Sequence, residues 1–269
     1  MVAMHQETFE TFRKIVYDKS GINISANKIA LVTARVGKRM RELGMSEDTE
    51  YLKLVLDDEK GEEVVQLLDV ISTNVTSFFR EESHFSFIAE AFPKWLAKGQ
   101  RRFRFWSAAS STGEEPYSLA MTLLERQSCT NVDMKILATD LSTRVLAKCK
   151  AGCYAEPKTA AIPEHLLKRF FEKAPDKKPG TLQAKKELKD IITFSRLNLS
   201  TPPFPMSGPF DAIFCRNVMI YFDNTVRQKL LVECNRLLKP DGFLFVGHAE
   251  SLAGLLSGFK AVAPSIYIK

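Results

Sequence analysis

The first stretch of about 80 residues repeats its apolar positions at helical spacing. Phe9, Phe12 and Val16 mark one face of a first helix, which Gly21 ends. Ser25 is the expected N-cap of a second helix running to about Leu43, with Gly44 beyond it. Its apolar positions are Ile29, Val32, Val36, Met40 and Leu43, and its other face carries Lys28, Arg35, Lys38, Arg39 and Arg41. Third and fourth helices are expected over Glu47–Asp58 and Glu62–Ser72, and no strand pattern interrupts them. Residues 73–82 are polar around a Phe78-Phe79 pair and read as a linker. A helix over Ser83–Lys98 follows, kinked or broken at Pro93. From Arg102 the period changes. Strands are expected at Phe103–Ala108, Met134–Thr139, Ile191–Arg196, Asp211–Cys215, Gly242–Gly247 and Ser265–Ile268. Helices at Tyr117–Gln127, Thr143–Cys149 and Thr225–Leu238 lie between them. This alternation predicts an α/β, doubly wound, mainly parallel sheet, with an antiparallel edge at its end. Residues 150–190 break the alternation. They are rich in Lys, Pro and Gly (Pro175, Lys177, Lys178, Pro179, Gly180) around a short helix, Pro163–Phe171, and predict an inserted subdomain with at least one hairpin.

Length and composition narrow the picture. A chain of 269 residues accommodates two domains, and 45% apolar with 26% charged residues is an ordinary globular balance. No apolar run is long enough to span a bilayer, and Met1–Glu10 lacks the pattern of a signal peptide, so a cytoplasmic location is expected. The five cysteines, Cys129, Cys149, Cys153, Cys215 and Cys234, are odd in number and scattered, which reads as reduced thiols. Cys149 and Cys153 stand i,i+4 on an expected helix, but no second pair supports them and the four histidines are dispersed, so no metal site is expected. A net charge of +6 favours acidic partners, whether nucleic acid, anionic lipid or an acidic protein surface.

Ligands of open α/β sheets sit at the carboxyl ends of the strands. After the first expected strand comes a small-residue loop, Ala108 to Gly113, with one glycine and then two acids, Glu114 and Glu115. A pyrophosphate needs bare backbone N–H groups and several glycines, so this loop suits a ligand without phosphate. Asp140 ends the second strand, where an acid accepts hydrogen bonds from both ribose hydroxyls; Ser142 is free to cap the next helix. Glu114 is the acid expected to meet a ligand cation, and Glu115 the solvated one. Asn198 and Leu199, then Arg216, Asn217 and Tyr221, stand at later strand ends, and either asparagine can pair with an adenine edge or simply form a turn. Asn74, Thr76 and Arg80 form a dense polar set in the linker, beside an expected interdomain cleft. S-adenosylmethionine, with an adenosine, a cation and an amino acid but no phosphate, fits these groups better than a dinucleotide.

Four segments carry a resemblance: Ser-Thr-Asn-Val-Thr-Ser-Phe-Phe-Arg-Glu (72–81), Trp-Ser-Ala-Ala-Ser-Ser-Thr-Gly-Glu-Glu-Pro-Tyr-Ser (106–118), Ala-Thr-Asp (138–140) and Cys-Arg-Asn-Val-Met-Ile-Tyr-Phe (215–222). In order and spacing they resemble the CheR-type chemotaxis receptor methyltransferases over nearly the whole chain. The resemblance implies an all-α N-terminal domain (1–72), a linker contributing to the cofactor site (73–90), and a Rossmann-like methyltransferase domain (91–269) whose insert at about 150–190 is a β-subdomain. In some members of that family the β-subdomain docks a peptide at the receptor C-terminus. It implies S-adenosylmethionine as cofactor, S-adenosylhomocysteine as product, and glutamates on the cytoplasmic helices of chemoreceptors as substrate. By resemblance the cofactor contacts fall on Asn74, Thr76, Arg80, Ala108, Glu114, Asp140, Asn198, Leu199, Arg216 and Asn217, with Arg80 and Tyr221 near the transferred methyl.

The implied reaction needs no general base, because a glutamate is already ionised at neutral pH. Arg80 is expected to orient the substrate carboxylate and Tyr221 to hydrogen-bond near the reacting centre. Arg35, Lys38, Arg39 and Arg41 are expected to dock acidic receptor helices, or else to form a solvated face. No nucleic-acid partner or membrane insertion is expected, and the protein is expected to be a monomer. A base-directed enzyme would place Asn/Asp-Pro-Pro-aromatic after the fourth strand, where this chain has Asn217-Val218-Met219-Ile220-Tyr221. A binding module that has lost catalysis is disfavoured by the intact Asp140, Glu114 and Arg80.

Overall fold

Apolar spacing in the first 72 residues closes into a four-helix unit. A computed structural model describes residues 4–174, 179–250, 252, 254–255 and 258–269. Helices α1 (Gln6–Ser20), α2 (Ile29–Leu43), α3 (Asp48–Leu56) and α4 (Glu62–Ile71) bury Phe9, Phe12, Val16, Val32, Val36, Met40, Tyr51, Leu67 and Ile71 against one another. Gly21 and Gly44 end α1 and α2 with φ of 72° each, the left-handed turn that glycine adopts without strain. Ser25 makes no side-chain cap. It precedes a single 3₁₀ turn, Ala26–Lys28, so α2 proper begins at Ile29.

Helix α5 (Glu82–Ala97) runs through Pro93 without a break. Phe85, Ile88, Phe92 and Leu96 are buried on both sides of the proline, and this packing holds the helix together where one backbone hydrogen bond is lost. There follow β1 (Arg102–Ser107), α6 (Glu114–Arg126), β2 (Asp133–Asp140) and α7 (Thr143–Ala151). Gly152, at φ 62°, stops α7, so Cys153 lies on the next strand and, contrary to the expectation from its spacing, does not share a helix with Cys149.

The insert holds β3 (Cys153–Ala155), α8 (Glu156–Thr159), α9 (Glu164–Phe170), β4 (Phe171–Lys173), β5 (Thr181–Ala184) and α10 (Lys186–Lys189). Its three strands form a separate antiparallel sheet in the order β3-β5-β4. Of its Lys/Pro/Gly-rich stretch, Pro175, Lys177 and Lys178 lie outside the described residues. The chain then returns through β6 (Ile192–Arg196), β7 (Phe210–Phe214), a 3₁₀ turn (Met219–Tyr221), α11 (Asn224–Leu237), β8 (Leu238–Phe245), β9 (Lys260–Ala263) and β10 (Ile266–Ile268).

The main sheet has seven strands in the order β6-β2-β1-β7-β8-β10-β9. β6, β2, β1, β7 and β8 are parallel, and β10 pairs antiparallel with β8 and with β9. β9 was not expected: Lys-Ala-Val-Ala lies almost wholly exposed on the sheet edge and shows no alternation. Phe103, Phe105, Phe214 and Phe245 fill the layer beneath α5 and α6, with Phe214 stacked on Phe245 at 4.3 Å. Among the described residues no helix is long and apolar enough to cross a membrane.

Candidate functional site

Chain order reverses between β1 and β7, so the loops leaving their carboxyl ends diverge and open a crevice. The helical unit covers this crevice and turns it into a cleft with about 990 Å³ of free space, part of it open to solvent. One wall comes from the sheet: Ala108, Ser111, Glu115, Asp140, Asn198, Leu199, Arg216, Asn217 and Tyr221. The other comes from Ile22 and from residues 71–77 with Arg80. Nine of the ten expected cofactor residues therefore meet in one cleft, together with Tyr221; Glu114 is the exception.

The two adjacent acids exchange the positions expected of them. Helix α6 begins at Glu114, and successive residues point about 100° apart around it. Glu114 turns away from the cleft, where it accepts from the Thr112 hydroxyl at 2.6 Å and faces Lys158 of the insert at 3.6 Å. Glu115 is not solvated. It lines the cleft, accepting from Ser107 Oγ at 2.7 Å and from Arg216 Nη1 at 2.9 Å. Burial raises the Glu115 pKa, against the pull of Arg216.

Arg216 is buried between two acids. Besides Glu115, it donates through Nη2 and Nε to Glu81 Oε2 at 2.9 and 3.2 Å, and through Nη2 to the Arg80 carbonyl. The other Glu81 oxygen accepts from Asn217 Nδ2 at 3.3 Å and from the His248 N–H at 3.1 Å. Burial opposes ionisation of Glu81, but the His248 N–H, Arg216 and Asn217 outweigh it and hold its pKa below the usual carboxylate value. Glu250, also buried, accepts from the backbone N–H groups of Gly247 at 2.6 Å, Asn217 at 2.7 Å and Ile220 at 3.3 Å. It thereby fixes the loop that carries Asn217, held at φ 55°, and Tyr221. Glu81 and Glu250 escaped the sequence reading. A lone acid in a loop carries no pattern, although Glu81 stood inside the linker segment already singled out.

The β1 loop is held from behind. Gly113 has φ 100°, and a Cβ there would meet Tyr154 Oη at 2.7 Å and Cys149 Sγ at 3.2 Å. Tyr154 donates to the Thr112 carbonyl at 2.8 Å and Cys149 to the Ser111 carbonyl at 3.0 Å. The linker is fastened to the insert as well: Phe78 packs edge-on against Tyr154 at 4.9 Å and Phe171 at 5.8 Å. The seam with the helical unit runs along the cleft mouth. Ile22 forms a bridge with Phe222, Asn23 N–H donates to the Tyr221 carbonyl at 2.8 Å, and Asn198 Nδ2 donates to the Lys19 carbonyl at 2.8 Å. The side-chain amide of Asn198 is thus engaged in the seam, its Oδ1 accepting from Ser200.

The basic face of α2 is not uniform. Arg35 is half-buried and donates to the Ile71 carbonyl and to Thr73 Oγ1, which anchors the start of the linker. Arg39 forms a two-pronged pair with Glu63 at 2.8 and 2.7 Å. Lys38 and Arg41 are exposed. Arg80, which lines the cleft, donates through Nη1 to the Val75 carbonyl at 2.9 Å.

Asp140 faces the cleft, with Oδ2 accepting from Ser111 N–H at 2.8 Å and Oδ1 from Ser142 N–H at 3.0 Å. Ser142 itself caps α7, its Oγ accepting from Val145 N–H at 3.3 Å, so Asp140 is not spent on capping that helix. Burial pushes the Asp140 pKa up to about 6, with the charge of Asp69 adding to it and the N–H groups of Ser142, Ser111 and Leu141 opposing. Asp69 reaches across from α4 to accept from Thr143 Oγ1 at 3.0 Å. If Asp140 holds the ribose through its ionised carboxylate, S-adenosylmethionine affinity should fall as pH drops through about 6. Asp140→Asn should lower that affinity about tenfold to a hundredfold and flatten its pH dependence, measured by calorimetry. The raised pKa makes ionised Asp140 a cost to folding that is fully present above about pH 6 and absent below the usual carboxylate range. The same variant should therefore keep or raise its melting temperature at neutral pH.

Residues 74–268 match the family model for the CheR methyltransferase SAM binding domain, and residues 7–72 the model for the CheR methyltransferase all-alpha domain. A chemotaxis protein methyltransferase of Escherichia coli is 36% identical, covering 99% of this chain and 92% of its own length. Chemotaxis protein methyltransferase 2 of Pseudomonas aeruginosa is 37% identical (97% and 92%), and the enzyme of Borreliella burgdorferi 38% identical (95% and 92%). Among solved structures, a glycopeptide N-methyltransferase complexed with sinefungin is similar at a TM-score of 0.36 and 16% identity, covering 66% of this chain and 53% of its own. With both of its domains matched and the expected cofactor residues gathered in one cleft, the chain belongs to the CheR methyltransferase family and is an S-adenosylmethionine-dependent methyltransferase.

Proposed function

We propose that this protein esterifies glutamate side chains on the cytoplasmic helices of chemoreceptors, acting as a monomer in the cytoplasm. The observation that carries the reading is the state of the β1 loop. The N–H groups of Ala108, Ser110, Ser111 and Gly113 are spent on Phe214 O, Thr139 O, Asp140 Oδ2 and Ser110 O. A loop whose donors are used internally does not cradle a phosphate, whereas the acids Asp140 and Glu115 in the same cleft suit a nucleoside bearing positive charge. Asp140 would hold the ribose, and Asn74, Thr76, Ala108, Leu199 and Asn217 the rest of the cofactor. When bound, S-adenosylmethionine supplies an electrophilic methyl group.

The chain's own task is then to bring a carboxylate to that methyl. Arg80 offers a guanidinium and Tyr221 a hydroxyl at the cleft, enough to orient a glutamate side chain. Among the described residues, the cleft lining contains no His, Cys or Lys. A glutamate needs no base to become a nucleophile, so this lining matches a carboxylate substrate. Esterification consumes the negative charge of the carboxylate, and the apolar surfaces of Ile71, Leu199 and Val218 favour the step by excluding water. Arg80 must hold the carboxylate loosely, since tight ground-state binding would not raise turnover. On the basic face of α2 the exposed Lys38 and Arg41 would meet an acidic receptor helix, while Arg35 donates to Thr73 and Arg39 pairs with Glu63.

Incubation with labelled S-adenosylmethionine and receptor fragments should put label on glutamate in a form that mild base releases as methanol. Label on nucleic acid, or none at all, would contradict the reading. Arg80→Ala should lose about a hundredfold or more in turnover while keeping measurable cofactor binding, and wild-type turnover would remove Arg80 from the reaction. Reversing charge at Lys38 and Arg41 should raise the apparent Michaelis constant for receptor several-fold at low salt and reduce its salt dependence, with turnover unchanged. An unchanged constant would reduce that face to solvation.

A further inference from the structure

Behind the Arg216 pair lies a cluster that methyl transfer does not use. Glu81 at the cap of α5, His84 in its first turn and His248 after β8 each offer one ligand atom, all within 4.8 Å of one another. His84 is fully buried, yet among the described residues neither of its ring nitrogens has a hydrogen-bond partner. A buried imidazole with both nitrogens unpaired is costly, and it calls for a partner other than protein. Its Nδ1 lies 3.6 Å from Glu81 Oε2, and its ring meets that of His248 edge-on at 5.1 Å. His248 is exposed, which opens a path from solvent to the cluster.

We propose that Glu81, His84 and His248 form a binding site for a divalent transition-metal ion of the Zn²⁺ or Co²⁺ type. Two neutral imidazoles and a carboxylate are the donor set such ions take, with a position left for water. Local charge favours a cation: among the described residues, Glu81, Glu115 and Glu250 are buried or nearly so around one buried guanidinium, that of Arg216. The exposed His248 side chain can rotate inward to close the remaining gap. The ion competes with Arg216 for Glu81 Oε2, now 2.9 Å from Nη2. Arg216 lines the cofactor cleft, so metal loading weakens cofactor binding, and by reciprocity the cofactor weakens metal binding.

The test is a Co²⁺ titration of the full-length, cofactor-free protein, followed by visible d–d absorption and by calorimetry. The expected result is one ion per chain, displaced by Zn²⁺, with affinity lowered about tenfold or more in His248→Ala while the circular dichroism spectrum is unchanged. Because His248 is exposed, that variant keeps the test valid even if a His84 variant fails to fold. No saturable binding at millimolar Co²⁺ would overturn the proposal, as would equal affinity in His248→Ala. Sulfur-to-cobalt charge-transfer bands would also overturn it, by placing the ion on cysteine. Binding is read without methyl transfer, so this result stands apart from the substrate assignment.

Discussion

The cleft depends on one buried guanidinium. Arg216 joins the linker through Glu81 and Arg80 to α6 through Glu115, and it does so at the carboxyl end of β7. Burying three charges is unfavourable in itself, and the mutual pairing with good geometry offsets the cost without making the pair a large source of stability. What the arrangement secures is position. Removing Arg216 leaves two uncompensated buried acids, at a cost of about 3–5 kcal/mol, so the three elements are held in one arrangement. Glu250 extends the same constraint by fastening the loop between Asn217 and Tyr221.

From that anchor the helical unit becomes part of the cleft. Its contacts run along the mouth: Ile22 with Phe222, Asn23 with Tyr221, Lys19 with Asn198 and Asp69 with Thr143. Tyr17 Oη adds a 2.5 Å hydrogen bond to Asp223, the cap of α11. Tyr221 and Asp140 therefore owe part of their setting to residues outside the sheet. An unfastened helical unit would leave the cleft a shallow crevice on an open sheet.

Much of this was legible in the sequence, for a physical reason. Helical spacing followed by period-two runs reports burial directly, so the helical unit, the parallel sheet and the insert could be read. Small loops and acids at strand ends likewise pointed to a phosphate-free nucleoside. What failed depended on angles or on distant partners. Whether Glu114 or Glu115 faces the cleft follows from where α6 begins, which one residue decides. Arg35 and Arg39 look like a docking face until Ile71, Thr73 and Glu63, remote in sequence, claim them. Cys149 and Cys153 stand at helical spacing, but Gly152 breaks the helix between them. Glu81, His84, His248 and Glu250 carry no periodic signal, and only the fold brings them together.

The most direct test of the account is a crystal structure of the protein with S-adenosylhomocysteine. The account predicts the ribose hydroxyls on the Asp140 carboxylate, the Arg216–Glu115 pair intact beside the nucleoside, and Glu114 out of contact behind the loop. A nucleoside bound away from Asp140, or one that breaks the Arg216 pair to bind, would contradict it.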